Sequence, residues 1–438
     1  MRILDTSDPK FPAALARIVD RIQLTSADRE DDVRAIIEEV RRRGDRAVAA
    51  FTRRFDGVTV PQKAPWLAES AFVRARDLVG RQARKDLELA RDRIRAFHAR
   101  DRARGFAMSG GPGVRLAQRC HPLERVGVYV PGGRGAYPST VLMNCVPARV
   151  ARVGEIILAT PPSKHGDPML RGLDPHVVVA AELAGVTRIL TAGGAQAIAA
   201  LALGTASVPR VDKIVGPGNA WVATAKRLVY GLVDIDSFAG PSEVLVIADG
   251  SVPAAWTAAD LLSQAEHDPD AIVFLVTPSN ATAAAVIAET ERQLETLPTR
   301  ATAAQSLRSN GIAIVVRDVD EAVELANRIA PEHLEVHAKR ARGIARRLTS
   351  AGAVFVGPHT PEAVGDYLAG PNHVLPTGGT ARFFSPLSAD DFVRRSNTLE
   401  LSAAALARLG PPTARLARIE RFEAHARSVT VRIGEPRP

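Results

Sequence analysis

One segment of the chain, Asp260-Leu-Leu-Ser-Gln264-Ala-Glu-His267, places two possible metal ligands on a helical pattern. Gln264 and His267 are three residues apart, so a helix would put both on one face, within reach of a single ion. A glutamine oxygen is a weaker zinc ligand than an imidazole, so this pair alone would make a poor zinc site. On this pattern alone, a solvated polar helix end is the better interpretation.

A second segment places an acid beside a histidine immediately before an apolar run. These residues are Glu332 and His333, in Ala330-Pro-Glu-His-Leu-Glu-Val-His337. An imidazole can take a proton from an alcohol near neutral pH, and a glutamate can activate water. Neighbouring residues of an extended strand point to opposite sides, so both would line one cavity only at a bend. A solvent-facing entry to a strand is the alternative, and it is the interpretation we favour for His337.

Acids and histidines also occur together in the last quarter of the chain. Asp366, a possible carboxylate ligand, and His373, a possible contact for a polar or anionic group, share a glycine-rich segment predicted to be a loop. Loops often carry functional residues, although Asn-His near proline is also common in ordinary turns. Glu420 and His425 fall in a segment predicted to be the final helix.

Three predicted strands end in turns made of small residues: Pro131-Gly-Gly133, Gly193-Gly-Ala-Gln196 and Gly216-Pro-Gly-Asn219. Strand ends that face helix N-termini are where α/β sheets bind nucleotides and anions, so three such turns together predict a shared crevice. None matches the G-x-G-x-x-G fingerprint with a downstream acid. The side chains that could contact a nucleotide there are Tyr129, Gln196 and Asn219, although each alone is more often structural.

The elements that position these residues alternate between strand and helix from Arg125 onward, after a helical region from about Asp31 to His98. This alternation predicts parallel sheets with helices on their faces, in two successive α/β sets. Residues 370–388 are predicted to form an ordered loop, followed by a helix-rich segment from Ala389 to about Leu409. After Gly410-Pro-Pro we predict a last helix through Glu420 to Ala426 and a short closing strand, Val429 to Ile433. The predicted strands of the two sets are Val126–Val130, Glu155–Ala159, Thr187–Thr191 and Lys213–Val215, then Val244–Ala248, Ala271–Val276, Ile312–Val316, Leu334–His337 and Ala353–Val356.

Composition excludes several classes of protein and site. Two cysteines in 438 residues exclude a disulfide framework and a cysteine-rich zinc site, and they favour a reducing compartment. The net charge of +9 comes from arginines spread along the chain, and aromatics are only 5%, which favours a solvated surface over nucleic-acid binding. No run approaches the roughly 18 apolar residues of a membrane helix, and no secretory signal is visible, so we expect a cytoplasmic protein with no membrane partner.

Taken together, these segments resemble the histidinol dehydrogenase family, from about residue 25 to residue 434. The matching stretches are Val126–Arg134, Ser139–Asn144, Ala192–Leu203, Asp212–Ala223, Ala239–Gly250, Asp260–Asp268, Ala330–Val336, Gly365–Gly378 and the segment from Glu420 to His425. Several of them are long and nearly continuous, so the match is highly specific.

The resemblance implies an enzyme that oxidises L-histidinol to L-histidine through L-histidinaldehyde, at the end of histidine biosynthesis, with one zinc ion per subunit and two NAD per turnover. It implies that Glu332 and His333 supply the acid-base groups. The implied zinc ligands, which also contact substrate, are Gln264, His267, Asp366 and His425. The further implied substrate contacts are Ser242, His333, His373 and Glu420, and the implied NAD contacts are Tyr129, Gln196 and Asn219.

The predicted fold class is α/β, with two Rossmann-like parallel-sheet domains in an aldehyde-dehydrogenase-like architecture, a helical N-terminal segment and a small C-terminal tail. The tail is too small to fold alone, and the resemblance implies a homodimer in which it reaches the partner's active site. The predicted boundaries are 1–24 for an N-terminal arm, 25–128 with 242–386 for a first α/β domain carrying the metal and catalytic residues, 129–241 for a nucleotide-binding domain, and 387–438 for the tail.

Two alternatives stay open from the sequence. Relatives of this fold oxidise other small alcohols such as sulfopropanediol, although Glu420 and His373 suit a substrate amine or imidazole better than a sulfonate. A basic nucleic-acid-binding protein that has lost catalysis would bind in a salt-sensitive way, but the complete set of site residues argues against it.

Overall fold

The computed structural model describes residues 1–21, 27–62, 65–101, 103–132, 135–237 and 240–434. Gly133 of the first glycine turn, Arg134 and Ala239 of the matching stretches, and the predicted boundary at 24–25 lie outside the described residues. By its contacts the chain divides into two units. The first comprises Met1–Asp101 with Leu123–Phe392, and the second comprises Arg102–Pro122 with Val393–Pro438.

The β-strands, numbered along the chain, are β1 (Arg2–Asp5), β2 (Phe106–Ser109), β3 (Val114–Pro122), β4 (Arg125–Tyr129), β5 (Glu155–Thr160), β6 (Arg188–Thr191), β7 (Lys213–Val215), β8 (Asp234–Ile235), β9 (Glu243–Ala248), β10 (Ile272–Thr277), β11 (Gly311–Val315), β12 (His333–His337), β13 (Ala353–Val356) and β14 (Val393–Leu401). The α-helices are α1 (Phe11–Val19), α2 (Ala27–Arg43), α3 (Asp45–Asp56), α4 (Glu69–Leu78), α5 (Arg81–His98), α6 (Pro138–Val150), α7 (Pro175–Leu183), α8 (Gly194–Leu203), α9 (Ala220–Val229), α10 (Ala254–Ala265), α11 (Asn280–Leu294), α12 (Arg300–Asn310), α13 (Val319–Ile329), α14 (Ala341–Ala345), α15 (Glu362–Tyr367), α16 (Ala403–Ile419) and α17 (Glu423–Ile433).

The larger sheet of the first unit has the strand order β1-β11-β10-β9-β12-β13, and the pairs are parallel. Its central strands β9 and β10 are buried except at Ile272 and apolar except at Glu243 and Thr277, as expected when helices cover both faces. The chain leaves β9 in one direction through β10 and β11 and then crosses to β12 and β13 on the other side of β9. Strand β1, from the N-terminal arm, extends the edge beside β11 and was not predicted.

The smaller sheet has the order β6-β5-β4-β7-β8 and is also parallel. The order reverses between β4 and β7, so the turns after these two strands lie at the switch point where such sheets open a crevice. The predicted glycine turns follow β4, β6 and β7, at the carboxyl edge of this sheet. The α/β class with parallel sheets is confirmed.

Helices α2 and α3 pack on α8 of the smaller sheet. Their buried residues, including Val33, Ile37 and Val48, join the apolar cluster that contains Tyr129 and Leu190. The predicted division grouped this helical region with the larger sheet. An amphipathic stripe shows that a helix packs on something, but it does not say which sheet it covers.

The second unit has an antiparallel sheet of order β14-β3-β2, in which β14 pairs with β3 along nine residues. The prediction of a helix-rich segment from Ala389 to Leu409 is therefore wrong in its middle. A 3-10 turn (Ala389–Phe392) precedes β14, and α16 begins only at Ala403. Most residues of β14 are exposed, so the strand lacks the apolar alternation by which strands are recognised.

The end of the chain differs from prediction in two further ways. Gly410-Pro-Pro lies inside α16 and does not break it, and Glu420 ends α16 instead of lying in the last helix. The predicted strand Val429 to Ile433 is the second half of α17. A Cβ at Gly410 would lie 2.9 Å from Val429 Cγ1, so the glycine is the point at which α16 and α17 approach closely. This tertiary contact overrides the β-propensity of the Val-Thr-Val run.

Within the described ranges, no helix is both long enough and apolar enough to cross a lipid bilayer.

Candidate active site

Glu332 and His333 lie at the amino end of β12 and are both buried. Helix α13 ends at Ile329, and the following residue, Ala330, has a φ of 50° that turns the backbone sharply before the strand begins. Glu332 Oε2 accepts a hydrogen bond of 2.8 Å from the Glu243 amide, and His333 Nδ1 lies 3.0 Å from the Glu243 carbonyl oxygen. The two side chains are therefore adjacent, with Glu332 Oε2 3.8 Å from His333 Nδ1. The bend required for both to serve one site is present.

The contacts of His333 determine which of its ring nitrogens can act as a base. A carbonyl oxygen only accepts hydrogen bonds, so Nδ1 carries the hydrogen in the Glu243 contact. In the neutral ring Nε2 therefore holds the free electron pair. Nε2 lies 3.6 Å from Asp366 Oδ1 and has no hydrogen-bond partner among the described residues.

Asp366 lies on the short helix α15, where a loop was predicted. His333, Glu362 and Asp366 each bring a possible ligand atom within 4.8 Å of the other two. Glu362 was not predicted as a site residue. His373 is half-buried, and its Nδ1 lies 3.0 Å from the Asp366 carbonyl oxygen. The predicted substrate contact thus adjoins the predicted metal ligand.

Gln264 lies in the last turn of α10, and His267 lies in the turn that follows it; α10 runs back from the carboxyl end of β9 and packs against α15. The Gln264 side chain is fully buried, yet neither atom of its amide has a hydrogen-bond partner within the described part of the chain. His267 is exposed on one side, although the protein around its ring lowers its pKa by desolvation. The opposing charge of Asp366 and the like charge of His333 also act on it. These two residues therefore share the amino edge of the larger sheet with Glu332 and His333.

Burial and mutual charge perturb the titration of this cluster. Burial raises the pKa of Glu332 to about 8. Burial opposes protonation of His333, but the carboxylates of Glu362 and Glu332 outweigh it and raise its pKa. Burial likewise raises the pKa of Glu362 and lowers that of His373. Strongly perturbed groups in one cluster are typical of catalytic sites.

A second polar cluster lies on the same face of β12. His333, Glu335 and His337 alternate along the strand and all three are buried. The solvent-facing interpretation of His337 is wrong, because its Nδ1 lies 2.9 Å from Thr257 Oγ1 and its Nε2 3.1 Å from Glu335 Oε2. Polar residues at every second position of a buried strand are the signal that would have revealed this face. Burial and the Glu335 carboxylate raise the pKa of Asp260 beside it to about 8.

The predicted nucleotide contacts meet at the carboxyl edge of the smaller sheet. The buried Tyr129 hydroxyl accepts a hydrogen bond of 3.1 Å from the Gly194 amide, and burial raises its pKa to about 12. Gln196, in the first turn of α8, is buried, with no hydrogen-bond partner for either amide atom in the described ranges. Asn219 is exposed and caps α9, where its Oδ1 accepts from two amides of the first turn.

These turns require glycine because neighbouring atoms of the protein lie too close to leave room for a side chain. A Cβ at Gly216 would lie 2.1 Å from the Tyr129 carbonyl oxygen, and its φ of 107° is unfavourable for other residues. A Cβ at Gly193 would lie 2.5 Å from Pro161 Cβ. The turns after β4, β6 and β7 are thus packed into one edge.

The remaining predicted site residues are in two places. Ser242 is half-buried and immediately precedes Glu243 at the amino end of β9. Glu420 and His425 are exposed residues of the second unit, at the end of α16 and in α17.

Comparison with known proteins gives a consistent result. The family model described as histidinol dehydrogenase matches residues 19–433. The chain is 50% identical to histidinol dehydrogenase of Geobacter sulfurreducens, over 99% of this chain and 100% of that protein. It is 49% identical to the Syntrophotalea carbinolica enzyme, over 99% of each. The crystal structure of histidinol dehydrogenase from Elizabethkingia anophelis matches with a TM-score of 0.92 at 33% identity, over 99% of this chain and 98% of that one. Both the length of the match and its level of identity show that the chain belongs to the histidinol dehydrogenase family.

Proposed function

We propose that the protein oxidises L-histidinol to L-histidine through L-histidinaldehyde, with two NAD consumed per substrate, at the end of histidine biosynthesis. The observation that carries the proposal is the orientation of His333. Its Nδ1–H is held by the Glu243 carbonyl, so Nε2 is left to accept a proton beside Asp366, with Glu332 adjacent.

The residues at the amino edge of the larger sheet fit a zinc ion. A fully buried glutamine amide without a partner is costly in a folded protein, and a metal ion at Gln264 Oε1 would offset that cost. Gln264, His267 and Asp366 provide amide oxygen, imidazole and carboxylate donors, and we assign them as ligands together with His425. Bound zinc would hold the substrate imidazole and amino group and so orient the alcohol.

The carboxyl edge of the smaller sheet fits a dinucleotide. Gln196 offers a buried amide that has no partner among the described residues, and Tyr129 and Asn219 flank the same glycine turns. Bound NAD would supply the acceptor for hydride from the substrate carbon. The turns contribute small residues and helix N-termini, which suit a pyrophosphate.

The proton transfers then fall to two side chains. His333 accepts the alcohol proton as hydride leaves the carbon, which gives the aldehyde. Glu332 accepts a proton from the water that adds to the aldehyde carbon, and protonated His333 returns its proton to the carbonyl oxygen, which gives the gem-diol and leaves His333 able to act as a base again. His333 accepts a proton from the gem-diol as the second hydride leaves, and the product is the carboxylic acid. Ser242, His373 and Glu420 are assigned to substrate binding.

The test is the amount of NADH formed per L-histidinol consumed by the purified protein. We expect two NADH per substrate, with the rate lost in the presence of a chelator and restored by added zinc. One NADH per substrate would overturn the second oxidation. Activity that survives complete removal of metal, verified by elemental analysis, would overturn the metal assignment.

The raised pKa of Glu332 predicts a pH dependence for the aldehyde step. Only the ionised carboxylate can accept a proton from water, so the rate of histidinaldehyde oxidation should fall about tenfold per pH unit below about 8. We expect the slow residual rate of Glu332→Gln to lack this dependence. Stopped-flow measurement of NADH formation from supplied aldehyde, between pH 6 and 10, gives the profile. The same slope in the glutamine variant would assign the titration to another group.

We further propose a homodimer in which the second unit of each chain completes the partner's site. The second unit exposes an unusual number of large apolar side chains for its size, as expected of a surface that is covered in an assembly. These are Phe106, Met108, Leu399, Leu401, Leu409, Leu416, Ile419, Phe422 and Val431. His425 and Glu420, in the same unit, are assigned to the shared site.

A further inference from the structure

Glu243, the first residue of β9, contacts both proposed acid-base residues through its backbone. Its N–H donates to Glu332 Oε2 at 2.8 Å, and its carbonyl oxygen accepts from His333 Nδ1 at 3.0 Å. In a strand, the N–H and C=O of one residue point toward the same neighbouring strand, which here is β12. The position of one residue's backbone therefore sets the carboxylate of Glu332 and the tautomer of His333 together.

The side chain of Glu243 is fully buried and held by three donors. Its carboxylate accepts from Arg21 Nε and Nη2, both at 2.6 Å, and from the Gly378 amide at 3.2 Å. The pair with Arg21 is bidentate, which fixes direction as well as distance. The carboxylate is thereby fixed at the point where β9 begins.

Arg21 belongs to the predicted N-terminal arm and is itself almost fully buried. Its Nη1 donates to the carbonyl oxygens of Ile18, at the end of α1, and Ile329, at the end of α13. Ile329 immediately precedes the turn at Ala330 that leads into Glu332. Arg21 thus holds the starts of β9 and β12 together, at the two positions from which the acid-base pair is oriented.

We infer that Arg21 and Glu243 are positioning residues for Glu332 and His333, so that the N-terminal arm is part of the catalytic scaffold. The inference rests on the proposed function. Neither side chain is assigned to substrate, zinc or NAD, so both act through the peptide of residue 243. A displacement of about 1 Å in a catalytic group can cost on the order of a hundredfold in rate.

The experiment compares three full-length variants. Arg21→Lys keeps the positive charge but not the bidentate geometry. Arg21→Met leaves the buried carboxylate unpaired. The double variant Arg21→Met/Glu243→Leu removes both charges, and replacing a whole buried ion pair in this way is often neutral for stability.

The measured rates are divided by the folded fraction, which is taken from thermal unfolding. We expect kcat of the double variant and of Arg21→Met to fall tenfold to about a hundredfold, with KM for L-histidinol changed less than about threefold. We expect a smaller loss of kcat for Arg21→Lys.

Both half-reactions should slow by similar factors, because Glu332 and His333 depend on the same peptide. The matched control is Arg125→Gln, which breaks the Arg125–Glu155 pair at the corresponding end of the smaller sheet. It should alter the melting temperature and leave kcat unchanged. A double variant or an Arg21→Lys variant with wild-type kcat per folded molecule would overturn the inference. If His333→Asn also kept full activity, the proposed function itself would fail, so the two failures are distinguishable.

Discussion

Replacing His333 with asparagine is expected to lower the rate of both oxidations of L-histidinol by at least about a hundredfold, the contribution expected of a general base. Asparagine retains an N–H that can donate to the Glu243 carbonyl but lacks the basic Nε2 that faces Asp366. Each hydride transfer requires that a proton be removed from the substrate oxygen, so both half-reactions should slow. The change is measured by stopped-flow formation of NADH, first from L-histidinol and then from L-histidinaldehyde.

Glu332→Gln is the matched comparison, because it keeps the shape of the side chain and its acceptor for the Glu243 amide. We expect the first oxidation to proceed nearly normally and the aldehyde to accumulate or be oxidised slowly. Zinc content and melting temperature should match the parent in both variants. Near-normal rates in both would remove Glu332 and His333 from the mechanism, and equal losses in the two half-reactions of Glu332→Gln would reassign that residue.

We expect mixed dimers to recover activity when one chain carries His333→Asn and the other carries His425→Ala, although each variant alone should be inactive. If the tail crosses to the partner, one site of the mixed dimer contains both substitutions and the other contains neither. Doubly tagged mixed dimers should therefore have about half the activity of the parent dimer, since one of two symmetric sites is intact. Co-expression with two affinity tags, sequential purification and assay with L-histidinol make the measurement.

The control pairs His333→Asn with Glu332→Gln, two changes on the same side of the proposed shared site. Every site in that mixed dimer is defective, so no recovery of L-histidine formation is expected. An inactive His333→Asn/His425→Ala dimer would place His425 in its own chain's site.

Much of the first unit could be predicted because its signals are local. Short apolar runs between helical patterns identified the main strands of both parallel sheets, and glycine turns marked the carboxyl edge of the smaller one. Strands β2, β3 and β14 were missed, because none of their residues is buried and they carry little apolar alternation. The last turns of α17 were mistaken for a strand, because their β-branched residues are helical only through packing on α16 at Gly410.

For the candidate site as well, some features could be predicted from the sequence and others could not. Residue types and spacing, with the family resemblance, named Gln264, His267, Glu332, His333 and Asp366 as chemical groups. They did not place these groups at the amino edge of the larger sheet, opposite to the edge that strand-end turns ordinarily suggest. The buried partners Glu362 and Glu335 were also missed, since a glutamate near a strand is most often solvated.

The sequence by itself determined the kinds of chemistry available: an imidazole beside a carboxylate, a set of nitrogen and oxygen metal donors, and a glycine-lined crevice. Only the tertiary structure decided which nitrogen of His333 is free, and it did so through a carbonyl 90 residues away. It also decided that Arg21, in the N-terminal arm, forms a buried ion pair with Glu243, which lies 222 residues later in the sequence. Local pattern depends on neighbours within a helical turn or a strand, whereas a tautomer and a buried ion pair depend on atoms that only folding brings together.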